Sequence, residues 1–183
     1  MKKIIFSALV FVVIVSCAPW SRVGGLYKSS SSNYSVELPE GWMKSNASDY
    51  LLISRDGILL QRITIIRLDI NKELTNTKKK FKKDMLPQEA AEVIIDDRMT
   101  DSAILNFEVL ENAPENICEF PGFKLVSTFT NNDGLKFKSV DYGFILDEWF
   151  YGISYTAPQR YYFDKDIKTF EEVFQSFNLI KKT

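Results

Sequence analysis

The sequence predicts an α+β domain in which helices pack on an antiparallel sheet. Residues 122–130, 136–146 and 149–157 are rich in strand-forming residues, and short turns separate them, which is typical of consecutive strands in a meander. Residues 71–99 show helical periodicity. A second helix is predicted near the end of the chain by one apolar stripe: Phe163, Ile167, Phe170, Phe174 and Phe177. Together, strands and helices in this order predict an α+β sandwich.

The amino terminus predicts a lipoprotein signal peptide. A basic start precedes an apolar run at residues 4–15, which is shorter than the roughly 20 residues that span a bilayer. The run ends in Ile14-Val15-Ser16-Cys17, which resembles the bacterial lipobox. This resemblance implies cleavage between Ser16 and Cys17, with acyl chains such as palmitate attached through Cys17. The alternative is an ordinary secretory signal that happens to contain a cysteine.

Lipidation on Cys17 would hold the protein on a membrane. Each buried methylene contributes about 0.8 kcal/mol, so two or more acyl chains give stable attachment. Ala18 follows the cysteine, and the resemblance to enterobacterial lipoproteins implies export to the outer membrane, facing the periplasm, if the host is Gram-negative. We therefore predict a signal peptide at 1–16, a lipidated cysteine and flexible tether at 17–33, and a single domain at 34–183.

The elements of the domain are predicted in order. Residues 34–38 alternate apolar and polar side chains, which indicates a half-buried strand. Asp56-Gly57, between apolar runs at 50–54 and 58–68, predicts a tight hairpin. Within 71–99, Leu74, Phe81 and Met85 lie at helical spacing, and Pro87 begins a second helical stretch. These helices are expected on one face of the sheet. Strand 104–110, the three-stranded meander and the closing helix follow.

Composition argues against several classes of function. The chain contains no histidine, which removes Ser-His and Cys-His nucleophile pairs and the commonest metal ligand. Its eight glycines form no phosphate-binding motif, and neither a Ser-x-x-Lys motif nor a calcium loop is present. With 23 basic and 24 acidic residues, it lacks the basic excess of a nucleic-acid binder. We predict no catalytic residue, metal or cofactor, and no nucleic-acid partner.

Aromatic residues supply the candidate binding site. Trp149, Tyr151 and Tyr155 share one face of a predicted strand, where such residues either enter the core or contact a ligand. Cys118 has no partner in the chain once Cys17 is acylated, and we expect it to be a small core residue rather than a reactive thiol.

Two segments resemble the PsbP-like fold family. They are the opening Tyr34-Ser35-Val36-Glu37-Leu38-Pro39-Glu40-Gly41-Trp42 and the closing Phe170-Glu171-Glu172-Val173-Phe174-Gln175-Ser176-Phe177. This family includes PsbP of photosystem II, a nuclear-transport factor that binds the Ran GTPase, and DcrB-type bacterial lipoproteins. The resemblance implies an αβα sandwich and a role as a binding or stabilising module, with no catalytic residue to carry over.

These observations give two functional hypotheses. The first is a lipid-anchored, non-enzymatic adaptor for an envelope protein or complex, held at its membrane through Cys17. The alternative is a small-molecule carrier or sensor with a pocket lined by Trp149, Tyr151 and Tyr155.

Overall fold

The computed structural model describes residues 19–29 and 31–180. The predicted signal peptide, its cleavage site at Ser16 and the lipidation site at Cys17 lie outside these residues. The elements are β1 Trp20–Arg22, β2 Gly25–Ser29, β3 Tyr34–Leu38, β4 Met43–Ser45, β5 Leu51–Ser54, β6 Arg62–Asp69, α1 Pro87–Thr100, β7 Leu105–Ile117, β8 Phe120–Thr130, β9 Lys136–Leu146, β10 Trp149–Pro158, α2 Tyr162–Ser176 and β11 Asn178–Leu179.

Most strands form one eight-stranded antiparallel sheet in the order β1-β4-β5-β6-β10-β9-β8-β7. The predicted meander is confirmed: β8 pairs with β9 and β9 pairs with β10 in continuous register. Gly134 has a φ of 80° in the β8–β9 turn, a backbone conformation that glycine adopts without a steric penalty. A separate three-stranded sheet has the order β11-β3-β2.

The domain has three layers, so the predicted α+β sandwich is confirmed. Helix α2 and strand β3 pack on one face of the large sheet, around a core that includes Trp42, Ile153 and Phe170. Helix α1 covers the other face, where Ala91 and Val93 contact Phe123 and its neighbours. Because side chains alternate along a strand, each central strand contributes to both cores.

The folded part of the chain begins earlier than predicted. Strands β1 and β2 lie within residues 17–33, so the prediction of a flexible tether is wrong for residues 20–29. Strand β1 pairs with β4, and β2 pairs with β3 along its whole length. These edge strands are held largely by main-chain hydrogen bonds. Their side chains, including exposed Leu26, therefore show little of the apolar periodicity that predicts a strand.

The prediction of a helix before Pro87 is also wrong. Residues 71–86 form turns and extended chain, and helix α1 begins at Pro87 as predicted. The carboxylate of Asp97 on α1 accepts hydrogen bonds from the backbone N–H groups of Asn76 and Thr77, at 2.9 and 3.1 Å. Phe81 is buried against Phe150, with ring centroids 4.2 Å apart. Tertiary contacts thus hold this segment in a non-helical path.

The turn at Asp56-Gly57 is longer than the predicted two-residue hairpin. Strands β5 and β6 pair antiparallel, as expected, but residues 55–61 connect them. Gln61 within this connection is fully buried, and its side-chain oxygen accepts a hydrogen bond from the Asp56 N–H at 2.9 Å. Burial of this polar side chain fixes the wider loop, because a buried amide has to keep its hydrogen bonds.

Candidate functional site

A groove of about 1040 Å³ lies at one end of the large sheet. Its walls come from the β7–β8 turn, the β9–β10 turn, the end of α2 and strand β11. In an antiparallel meander every second turn lies at the same end of the sheet, so these two turns are neighbours. Helix α2 ends at Ser176, and the chain then turns into β11. The groove therefore lies where the helical layer stops short of the strand ends.

Aromatic rings form the floor of the groove. Phe120, Phe144 and Tyr151 stack in sequence across β8, β9 and β10, with centroid separations of 5.7 and 5.0 Å. The Phe177 ring meets Phe144 edge-on at 6.3 Å. Of these, Phe120, Tyr151 and Phe177 line the groove. Stacked rings lose little freedom when a ligand binds, so they form a preorganised apolar surface.

Trp149 forms one side of the groove and is held by a cation–π contact. The guanidinium carbon of Arg67 lies 3.8 Å from the centroid of the Trp149 ring. Arg67 lies directly across from Tyr151 in the pairing of β6 with β10. Trp149 is half-buried, so part of the ring stays available to a ligand while Arg67 restrains its orientation.

The lining residues carry only negative formal charge. Glu115, Glu119 and Asp147 line the groove, and none of its described lining residues is lysine or arginine. Two positive groups contact residues of the lining: Arg67 on Trp149, and Lys83, whose amine lies 3.9 Å from the Asp147 carboxylate. Four amide side chains complete the polar part of the lining, from Asn33, Asn116, Gln175 and Asn178.

Tyr142 on β9 lies near further acidic side chains, which belong to β7 and α2. Its ring stacks on Phe174 with a centroid separation of 3.7 Å. Burial and, to a smaller extent, the carboxylates of Glu115, Glu171 and Glu111 together raise the pKa of Tyr142 to about 12. Two of these carboxylates are on β7 and one is on α2. Negative charge therefore borders the aromatic residues on both sides.

Cys118 lines the groove and packs against the edge of the core without being fully buried in it. It is partly exposed, and its thiol donates to the backbone oxygen of Phe177, with Sγ 2.9 Å from that oxygen. Its φ of 48° places it in the tight β7–β8 turn, which keeps the side chain near the surface. Burial and the neighbouring Glu119 raise the pKa of the Cys118 thiol, which lowers its reactivity.

The structure separates the three aromatic residues that the sequence brought together. Trp149 and Tyr151 line the groove, whereas Tyr155 is fully buried beneath α2. The Tyr155 hydroxyl donates to the backbone oxygen of Tyr162 at 2.9 Å. The prediction of Tyr155 as a binding residue is therefore wrong, because α2 covers that part of the strand.

Several groove residues were not predicted as site residues. Phe120, Glu115 and Glu119 come from the end of β7 and its turn into β8, a stretch without alternating apolar residues. Strand topology could have identified them. If the predicted strand 104–110 is extended to residue 117, the turn that follows it lies beside the turn at Asp147. Phe177 was predicted only as part of the helical stripe.

Neither a metal-ligand cluster nor a membrane-spanning helix is found in the part of the chain that the structure describes. Within 19–29 and 31–180, no group of three or more acidic or cysteine side chains is placed to hold a metal ion. Over the same residues, no helix has both the length and the apolar content needed to cross a bilayer.

The structure is similar to several solved proteins at low sequence identity. The solution structure of cyanobacterial PsbP (CyanoP) from Synechocystis sp. PCC 6803 has a TM-score of 0.56 at 13% identity, covering 93% of this chain and 98% of that one. The Ran-binding protein Mog1p of Saccharomyces cerevisiae has a TM-score of 0.55 at 12% identity, covering 88% and 97%. A protein from Bacteroides thetaiotaomicron VPI-5482 has a TM-score of 0.52 at 15% identity, covering 87% of this chain and 49% of that chain.

Comparison of sequences gives no further assignment. No family model matches the chain, and no curated protein matches it. At these identities the structural similarity shows a shared fold and not a shared function. The similarity extends over most of the chain, and it agrees with the resemblance of the opening and closing segments: this protein has a PsbP-like fold.

Proposed function

We propose that the protein is a lipid-anchored, non-enzymatic adaptor that binds an envelope protein through the groove at the end of its large sheet. The groove carries the proposal, because it combines stacked aromatic rings with a ring of polar side chains. Protein interfaces are enriched in aromatic anchors surrounded by a polar rim. Membrane attachment is proposed from the lipobox-like sequence that ends in Cys17.

Attachment to the membrane would strengthen a weak contact. Confining the domain to one surface raises its effective concentration toward a partner on the same membrane. A groove of this size can then act with modest intrinsic affinity. The protein named as Ran-binding among its structural neighbours supports protein recognition by this fold, although the partner here is expected to be different.

Site-specific crosslinking tests the proposal. A photo-crosslinking amino acid replaces Gln175, an exposed residue of the groove lining, in protein expressed in its native membrane. The matched control places it at Asn132, which is exposed in the β8–β9 turn at the opposite end of the sheet. We expect one dominant protein adduct from position 175 and none from position 132.

Two further variants separate the anchor from the groove. Cys17→Ser is expected to lose the adduct by releasing the protein from the membrane, and Trp149→Ala by weakening the groove itself. Equal adducts from positions 175 and 132, or an adduct unaffected by Trp149→Ala, would contradict the adaptor proposal.

The carrier hypothesis keeps one supporting observation, the volume of the groove, which is near the upper end of small-molecule sites. Native mass spectrometry of the purified full chain tests it. A retained small molecule that is lost in Trp149→Ala would favour a carrier over an adaptor.

A further inference from the structure

The groove also indicates what kind of partner it accepts. Resting on the proposed adaptor function, we infer that it binds an extended basic segment of a partner protein, with lysine or arginine side chains lying over Trp149 and Phe120 between the acidic residues. Nothing in the fold alone requires this specificity, because it depends on side chains of two turns and the end of α2.

The carboxylates supply the charge complementarity. Glu115 and Glu119 come from β7 and its turn, and Asp147 comes from the turn on the other side of the groove. A segment lying between the two turns would meet carboxylates from both. Two positive groups lie nearby without lining the groove: Lys83 pairs with Asp147 at 3.9 Å, and Arg67 stacks on Trp149. The groove lining itself therefore remains acidic.

The aromatic rings add preference for a cation over a neutral polar group. The electron-rich face of an aromatic ring attracts ammonium and guanidinium groups, most strongly when it is partly shielded from water. Arg67 already uses this interaction on Trp149. The methylene portions of lysine and arginine would pack on Phe120 and Tyr151, while their charged ends reach the rim.

The amide side chains suit an extended backbone. Asn116, Gln175 and Asn178 are exposed in the lining, and each amide offers both donors and an acceptor to peptide N–H and C=O groups. Such groups are needed because a bound peptide has to keep its backbone hydrogen bonds.

The same carboxylates disfavour the binding of an anionic lipid in the groove. Fatty acids and anionic phospholipids would suit the apolar floor, but their headgroups would meet Glu115, Glu119 and Asp147 at the rim. Like charges placed together in an interface reduce binding. A smaller cleft of about 210 Å³ beside α2 has mixed charge, since Lys124 and Lys138 line it together with Glu111 and Glu171. A lining with acidic and no basic residues among those described is therefore a property of the larger groove.

Peptide binding to the full chain in nonionic detergent tests the inference. The probes are two fluorescent peptides of equal length, one alternating lysine with phenylalanine and one alternating glutamate with phenylalanine. We expect saturable binding of the lysine peptide by fluorescence anisotropy, and at least tenfold weaker binding of the glutamate peptide. Raising the salt concentration is expected to weaken the first interaction, because exposed charges are screened.

Variants then locate the binding site. Glu115→Gln/Glu119→Gln/Asp147→Asn removes three charges from the groove, and its matched control, Glu40→Gln/Asp49→Asn/Glu73→Gln, removes three from exposed positions outside it. We expect the groove variant to weaken lysine-peptide binding about tenfold, because three exposed charge pairs with the peptide are lost. The control is expected to change it less than twofold.

The end of the chain carries two further basic residues. Because Lys181 and Lys182 follow Ile180 of the lining, a chain ending at residue 180 is tested too and is expected to bind the lysine peptide at least as well as the full chain.

The outcomes distinguish this inference from the adaptor proposal. Equal loss in both triple variants would show a general effect of net charge and overturn the inference. So would equal binding of the two peptides. If crosslinking at position 175 still captured one protein partner, the adaptor function would stand and only the basic specificity would be wrong.

Discussion

Replacing Asp166 with alanine is expected to destabilise the domain by about 3 kcal/mol. Asp166 lies on α2 and is 1% exposed. Its carboxylate forms an ion pair with the Arg55 guanidinium, at an N–O distance of 2.8 Å, and accepts hydrogen bonds from Arg55 at 3.1 Å and from the Gln61 side-chain amide at 2.7 Å. Removing one partner of a buried ion pair costs about 3–5 kcal/mol. The lower end applies because the Arg55 side chain is 33% exposed and Gln61 keeps a second acceptor in Asp56 at 3.1 Å.

Urea unfolding of the full chain measures this effect. With a slope of about 2 kcal/mol per molar urea, the midpoint for Asp166→Ala is expected to fall by about 1.5 M. Asp166→Asn keeps an acceptor for both donors and is expected to cost about 1 kcal/mol. Lys168→Ala, at an exposed position on the same helix, is the control and is expected to change stability by less than about 0.5 kcal/mol. A loss in Asp166→Ala no larger than in Lys168→Ala would refute the claim that this carboxylate joins α2 to the β5–β6 connection.

Three further predictions concern the sheet and the groove. Gly143→Ala is expected to destabilise the domain by about 1–3 kcal/mol in the same assay, because the added Cβ would lie 2.5 Å from the Phe123 ring; an unchanged midpoint would contradict this close packing. Since the pKa of Tyr142 is raised to about 12, the part of the folding stability that this group contributes is expected to be fully present below pH 10 and to be lost as the pH rises from 10 to 12. Tyr142→Phe is expected to reduce that loss, as measured by unfolding at several pH values. The raised pKa of Cys118 predicts slower reaction with a thiol reagent at pH 8 than free cysteine shows, and a rate equal to that of free cysteine would argue against it.

The elements predicted correctly from the sequence are those whose apolar side chains face a core. The stripe on α2 and the strands β8, β9 and β10 face a core on at least one side, so their apolar spacing follows their geometry. The errors occur where main-chain pairing or a single distant contact decides the structure. Strand β2 is held by its pairing with β3, and the segment before α1 is held by Asp97 and by burial of Phe81. Neither effect leaves a periodic signal.

The candidate site was half predicted for a related reason. Periodicity placed Trp149, Tyr151 and Tyr155 on one face of a strand, and that placement is confirmed by the core to which all three contribute. It could not show where α2 ends along that face. The helix covers Tyr155 and leaves Trp149 half-buried. The boundary between core and groove is set by tertiary packing, so residues with the same local pattern fall on opposite sides of it.

Two aromatic side chains of the proposed binding groove are left partly open to solvent by the domain. Phe120 and Trp149 are both only partly buried, and they lie in the same groove. The carboxylates around them would keep the free protein soluble and would oppose self-association by mutual repulsion. The same charges would favour a basic partner, so one arrangement of side chains protects the unbound groove and selects its ligand.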